Sequence, residues 1–243
     1  MAETNFLKSY PNHVARLRAT LPKDAALEAA VGGDFITVGK LERALLRSLG
    51  LAGGHFIIDV GCGSGRLALQ LVSVPDLHYL GTDVVPEMLD YARKISGRHD
   101  WIFACTDGGS IPCESAGADF VCFFSVFTHL THEDAFRYLG EAKRVLKPGG
   151  FVVFSFLEFY IDSHWEVFRQ SLAHSRPGAH LNQFMDRHAI VAWAHHLGFN
   201  LDVIHDGDKP HIPIDEDLTW HDGRVERDYG SLGQSVAVFS KSR

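Results

Sequence analysis

Three glycines at alternate positions, Gly61, Gly63 and Gly65, follow an apolar run over 55–60 that contains Asp59. A backbone without Cβ atoms turns tightly and lets a ligand come close. Free amides at the start of a helix beyond such a turn favour a polar or anionic group. Asp83 closes the next apolar run and is a natural acceptor for ribose hydroxyls. Together these residues describe a cradle for a nucleotide-like cofactor. The dinucleotide fingerprint places its third glycine one position later, with an acid about twenty residues on. Here the pattern is G-x-G-x-G, and spacing alone leaves open which nucleotide cofactor it serves, or whether it is a plain tight turn.

The elements that must hold this cradle follow from hydropathy. Apolar residues at helical spacing run through 11–50, broken at Gly32-Gly33 and ending at Gly50. Short apolar runs then alternate with amphipathic stretches. Strands are predicted over 55–60, 77–83, 101–105, 119–125 and 151–156, with helices over 66–74, from Pro86, and over 133–146. Proline suits a first helical position, and Lys147-Pro148-Gly149-Gly150 stops the last of these helices. Buried strands separated by helices imply a parallel sheet covered on both faces. The rhythm then loosens into a helix with an irregular insertion over 160–186, a helix over 187–198, and strands over 201–205 and 235–240. Residues 206–234, rich in Asp, Gly and Pro, are expected as one long loop, either a functional lid or a poorly ordered segment.

Composition removes several classes of function. The 243 residues are 46% hydrophobic and carry a formal net charge of -7, from 23 basic and 30 acidic side chains. No basic stripe of the kind that tracks phosphate backbones is visible, which argues against nucleic acid as a partner. No run approaches the roughly 18 apolar residues of a membrane span. The segment MAETNFLKSYPNH lacks the apolar centre of a signal peptide. Cys62, Cys105, Cys113 and Cys122 form no CxxC pair, so small reduced thiols are expected rather than a zinc site, in a cytoplasmic protein.

Five segments, taken in order, resemble class I methyltransferases. IIDVGCGSGRLALQL is similar to their first motif and LGTDVVPEMLDYAR to their second. ACTDGGSIP resembles the segment after the third strand, ADFVCFFSVFTHL the fourth-strand motif, and RVLKPGGFVVFSF the lead into strand five. The resemblance implies an α/β fold: a seven-stranded, mostly parallel Rossmann-like sheet with helices on both faces and an antiparallel last strand between strands five and six. It implies S-adenosylmethionine as cofactor and S-adenosylhomocysteine as product. Asp59 would orient the glycine loop and the cofactor's amino group, Asp83 the ribose, and Met88 would lie near the adenine edge. Asp107 and Gly108 match the position that receives the adenine amino group. Gly61, Cys62, Gly63, Val84 and Ser125 complete the implied cofactor-binding set. The C-terminal third matches no subfamily pattern. The implied organisation is one domain over 1–243: a helical cover over 1–50, a cofactor-binding core over 51–158, and acceptor-side elements with closing strands over 159–243.

On the acceptor side, His129 stands four residues past Ser125 and has the side chain whose ordinary pKa suits a general base near neutrality. A helix-entry histidine bonded to backbone is the alternative. Glu158 and Tyr160, just past the fifth strand, are expected to face the acceptor or plain solvent, and Tyr10 with His13 to belong to an N-terminal lid. His195-His196 and His205 with Asp206 and Asp208 are the densest potential metal ligands. They lack a recognisable cation-dependent pattern, so no metal is expected. Phe156, Phe159, Tyr160, Trp165, Phe168, Phe184 and Trp193 line an apolar pocket or, more ordinarily, core. The sequence reads as an enzyme methylating an oxygen, or less often a nitrogen, of a small metabolite or glycan, with a loose likeness to secondary-metabolite pathways. A dehydrogenase would need the later glycine and a second catalytic domain. A non-catalytic S-adenosylmethionine-binding regulator or scaffold would share the motifs but block the acceptor pocket. The oligomeric state stays open.

Overall fold

The chain enters through three helices, α1 (Phe6–Arg18), α2 (Lys23–Ala30) and α3 (Phe35–Ser48), in a computed structural model that describes residues 6–175 and 182–243. Part of the insertion expected over 160–186 falls on 176–181, outside the described residues. Helix α1 begins earlier than the periodicity suggested and carries Pro11 inside it, where a proline removes one backbone bond. Its buried Phe6 and Val14 hold it in place by packing. Asp34 caps α3 by accepting the Thr37 N–H at 3.0 Å.

Then β1 (Phe56–Val60), α4 (Arg66–Leu71), β2 (His78–Asp83), α5 (Pro86–Ser96) and β3 (Ile102–Cys105) alternate. They are followed by β4 (Ala118–Phe123), α6 (His132–Val145), β5 (Leu146–Phe156), α7 (Asp162–His174), α8 (Arg187–Leu197) and β6 (Asn200–His205). The Pro-Gly-Gly breaker does end α6, but the chain passes directly into β5, with a register shift against β4 between Ala118 and Phe120. Lys147 is anchored there on the Asp119 carboxylate at 2.8 and 2.9 Å.

The closing strand Ser235–Ser240 runs antiparallel between β5 and β6. The sheet order is therefore β3-β2-β1-β4-β5-closing strand-β6, seven strands with one reversed. Alternate residues feed opposite cores. Ile58, Val121, Phe123, Phe154 and Phe239 pack on α6 and α8, whereas Ile57, Tyr79, Phe120, Cys122 and Val238 pack on α3, α4 and α5.

Residues 206–234 are ordered into two short antiparallel ladders. Ile212–Pro213 pairs with Tyr229–Gly230, and Leu218–Thr219 with Val225–Glu226. Buried Ile212 and Leu218 dock this segment on the α3 face. The Thr37 hydroxyl donates to the Thr219 carbonyl (3.2 Å), the His221 N–H to Asp34 (3.1 Å), and Arg47 pairs with Asp215 (2.8 Å). Strands of two residues are too short to leave a periodic trace, which is why the segment reads as loop in the sequence.

Candidate cofactor and acceptor site

A cleft of about 860 Å³, counted to its open mouth, lies at the carboxyl ends of β1, β2 and β4. That is where open α/β sheets bind their ligands. Its floor is the glycine loop, and the structure shows why each glycine is needed. Gly61, Gly63 and Gly65 have φ of 69°, 53° and 87°, all left-handed. A Cβ on Gly61 would stand 2.6 Å from Val126, on Gly63 2.5 Å from Val31, and on Gly65 2.8 Å from Ala92. The spacing thus serves both the turn and three close approaches, from the β4 exit, the end of α2 and α5.

Asp83 ties the loop to the next helix, accepting the Gly63 N–H at 3.0 Å and the Val85 N–H at 2.8 Å. Each oxygen keeps a lone pair for another donor. Asp59 accepts the Tyr79 hydroxyl at 2.7 Å. A third carboxylate, Glu42 of α3, pairs with Arg66 at 2.5 Å, and Arg66 also donates to the carbonyls of Val31 (3.1 Å) and Gly32 (3.0 Å). Burial pushes the Asp59 carboxyl up to about 7 against the Tyr79 bond, and Asp83 up to about 6 against its backbone donors. It also raises Glu42, with Arg66 opposing, and drives the Cys62 thiol well above its ordinary value.

Three buried carboxyls facing one guanidinium form a site short of positive charge. A ligand bringing cationic groups and hydroxyl donors would offset the desolvation of these acids. S-Adenosylmethionine carries a sulfonium, an ammonium and a ribose diol, so the donor set fits it.

The opposite wall is the turn after β4, with Phe124, Ser125, Val126, His129 and Leu130 lining the cleft. The His129 N–H donates to the Val126 carbonyl (2.9 Å), and its ring lies 5.9 Å from that of Tyr10. Helix α1 thereby lays Phe6 and Tyr10 across the opening. Burial pushes the Tyr10 hydroxyl upward, with Asp83 adding to the effect.

Of the residues expected from sequence, Asp59, Gly61, Cys62, Asp83, Val84, Ser125 and His129 line this one cleft. Gly63 meets it through Asp83. Met88 is fully buried beneath Gly63, in the cluster joining α1, α2 and α5. Asp107 is exposed and Gly108 is covered by the Phe6 ring, so neither is part of the lining. Glu158, expected toward the acceptor or solvent, is not part of the cleft lining. It is buried, bonded by Arg187 at 2.7 Å through each oxygen and by the Ser235 hydroxyl. Tyr160 is 96% exposed.

His195 and His196 contact each other on α8, and His205 stacks on His211 at 4.1 Å. Asp206 is held by Arg187 and Lys209. Among the described residues, no three potential metal ligands converge. Phe159, Trp165, Phe168 and Phe184 form one aromatic group on α7 and its flanks, while Phe156 is core.

Glu42, Arg66, Thr106 and Tyr138 line the cleft without having been singled out from sequence. The signals were present: Glu42 is a charge set on the apolar stripe of Leu41, Leu45 and Leu46, and Arg66 is a cation at a helix start, where the dipole disfavours it.

Comparison with known proteins agrees with this geometry. A methyltransferase-domain family model matches residues 57–150. A malonyl-acyl-carrier-protein O-methyltransferase of Hahella chejuensis is 32% identical over 140 residues, covering 56% of this chain and 47% of the relative. The chain spans about half the length of the curated relatives it matches. A Haloferax volcanii methyltransferase solved with its Trm112 activator shares the fold, with a TM-score of 0.67 at 18% identity over 97% of this chain and 99% of that one. Magnesium protoporphyrin IX methyltransferase of Synechocystis, solved with S-adenosylhomocysteine bound, gives a TM-score of 0.60 at 14% identity over 98% of each chain. Residues 57–150 thus match a methyltransferase domain, and the sheet around them has the fold of the solved methyltransferases.

Proposed function

We propose that the protein transfers a methyl group from S-adenosylmethionine to an oxygen, or a nitrogen, of a small metabolite or glycan. The observation that carries this reading is the convergence of Asp59, Asp83 and Glu42, all buried, on one cleft beside a glycine loop. The cofactor supplies an already activated methyl group for in-line displacement, so much of the protein's contribution is orientation. Asp83 receives the ribose, Asp59 and the loop receive the amino-acid end, and the turn over 124–130 presents the acceptor. His129, on that turn, is the candidate to take a proton from a hydroxyl nucleophile.

Oxygen as the accepting atom draws support from the O-methyltransferase relative. A small acceptor fits the acidic balance of the chain. Among the described residues, no helix is long and apolar enough to cross a membrane. A cytoplasmic enzyme accords with the free, partly buried thiols.

Calorimetric titration with S-adenosylmethionine, S-adenosylhomocysteine and, as control, NADH tests the reading. Micromolar binding of the first two and none of NADH is expected. Absence of binding by both sulfur ligands overturns it. Acceptor screening by release of S-adenosylhomocysteine then separates an enzyme from a cofactor-binding scaffold.

A further inference from the structure

Ser125 sits at the exit of β4 with φ of 59°, a left-handed conformation that a serine holds only when its surroundings impose it. Its N–H donates to Ser155 Oγ at 2.7 Å, and its carbonyl accepts the Thr128 hydroxyl at 2.7 Å. Its own Oγ accepts from Gln234 Nε2 at 3.1 Å, while the Ser155 hydroxyl donates to Gln234 Oε1 at 2.7 Å. The end of β4, strand β5 and the lead into the closing strand are thus joined in a closed ring.

The ring has one proton arrangement that leaves nothing buried unmatched. Ser155 is 1% exposed, and its Oγ already accepts from the Ser125 N–H. Among the described residues its hydrogen has Gln234 Oε1 as acceptor. Reversing the amide would strand that buried hydrogen, so the amide orientation is set by Ser155. Nε2 then faces Ser125 Oγ, which is an acceptor within the ring and keeps its own hydrogen for a partner outside it. Ser125 lines the cleft, and no acceptor among the described residues takes that hydrogen.

We propose that Gln234 is a positioning residue of the site: its fixed amide makes the Ser125 hydroxyl a donor aimed into the cleft, matched to a carboxylate or carbonyl oxygen of a bound ligand. This rests on the methyl-transfer reading. The oxygen comes either from the cofactor's carboxylate or from a carbonyl or carboxylate on the methyl acceptor. Neither source alters the role of Gln234.

The test compares wild type with Gln234→Glu, whose carboxylate captures the hydrogens of both serines, and with Gln234→Met, which removes the amide without adding charge. Binding is read by calorimetry with S-adenosylhomocysteine, with 5′-methylthioadenosine, which lacks the amino-acid end, and with benzoate added to the S-adenosylhomocysteine complex. Loss of one bond to a charged oxygen corresponds to roughly tenfold or more in affinity. If the cofactor supplies the oxygen, Gln234→Glu weakens S-adenosylhomocysteine by about that factor and Gln234→Met by less, and both leave methylthioadenosine unchanged. If the acceptor supplies it, S-adenosylhomocysteine is unchanged and benzoate binding falls.

Folded variants in which S-adenosylhomocysteine is unaffected, and benzoate is unaffected or does not bind even to wild type, overturn the proposal. So does an equal loss of S-adenosylhomocysteine and methylthioadenosine, the mark of a merely structural ring. Failure of the parent reading is separate, since wild type would then bind no S-adenosylhomocysteine.

Discussion

The two ends of the cleft are built by different means. At the glycine-loop end, proposed for the cofactor, Asp83 reaches Gly63 and Tyr79 reaches Asp59 across 20 residues each, within one strand-helix-strand unit. At the opposite wall, Gln234 reaches Ser125 across 109 residues, and behind the lining Ser235 reaches Glu158 across 77. The same contrast appears under the site, where α3 is secured by bonds to the 206–234 segment that span 182 and 187 residues. One end needs a short stretch of chain with strict residue types. The other needs the chain to return, and nearly any residues that satisfy the returning partners will do.

The sharpest way to break this comparison is at Arg66, whose bonds to Glu42, Val31 and Gly32 reach outside that strand-helix-strand unit. Arg66→Met would leave Glu42 buried without its partner, which costs about 3–5 kcal/mol, or roughly 6–20 °C in melting temperature for a chain of this size. Arg66→Met combined with Glu42→Leu is expected to recover most of that loss, because a packed apolar pair replaces a buried ionic one. Calorimetric melting of the three proteins decides it. A single variant melting within 2–3 °C, under about 1 kcal/mol, would mean that the pair is solvated and not part of the buried floor.

Next in size is Asp83→Ala, which removes the two oxygens proposed to receive the ribose together with the anchor of Gly63. Affinity for S-adenosylmethionine should fall by about a hundredfold or more, the equivalent of roughly 3 kcal/mol. Unchanged affinity in a folded variant would withdraw Asp83 from the cofactor end. At the other end, His129→Ala should lower kcat by about a hundredfold if it takes the proton, with cofactor affinity within twofold. Turnover undiminished at neutral pH would leave His129 as a wall of the cleft only.

This division also marks what could be read before the fold was known. The strand before the glycines, the glycines themselves and Asp83 were legible because turn geometry and close packing constrain residue type at fixed spacing. Gly61, Gly63 and Gly65 each fail as any other residue, so the pattern carries its own reason. Glu158 was legible as a charge but not as a clasp, because its partners Arg187 and Ser235 have no sequence relation to it. The 206–234 segment reads as loop for the same reason. Its two-residue ladders take their order from Ile212 and Leu218 against α3, and only the Asp222-Gly223 turn, with Gly223 at φ 85°, announces a hairpin locally. Asp107 shows the converse risk: it matches a motif position, yet its side chain is exposed outside the cleft lining.

The last effect separates stability from function at the glycine-loop end. Asp59 is buried among Tyr79, Glu42, Arg66 and Asp83, and its carboxyl is raised to about 7. Unfolded, it would titrate near 3.9. The folded chain therefore binds this proton more tightly than the unfolded chain, so the group's contribution to stability falls as pH rises from about 4 and levels off above about 7. Asp59→Asn keeps an acceptor for the Tyr79 hydroxyl and removes the buried charge. Without cofactor it should be more stable than wild type at pH 8, with the difference closing as the pH falls toward 4. A cationic ligand selects the ionised form, so binding of S-adenosylmethionine to wild type should release protons between about pH 6 and 7. Calorimetry in two buffers of different ionisation enthalpy measures that release. Asp59→Asn should bind more weakly and release fewer protons, with the remainder assigned to Asp83. If the variant instead melts below wild type at pH 8, the carboxylate is already stabilised in the empty cleft, and the shortage of positive charge there must lie with Glu42 and Asp83 alone.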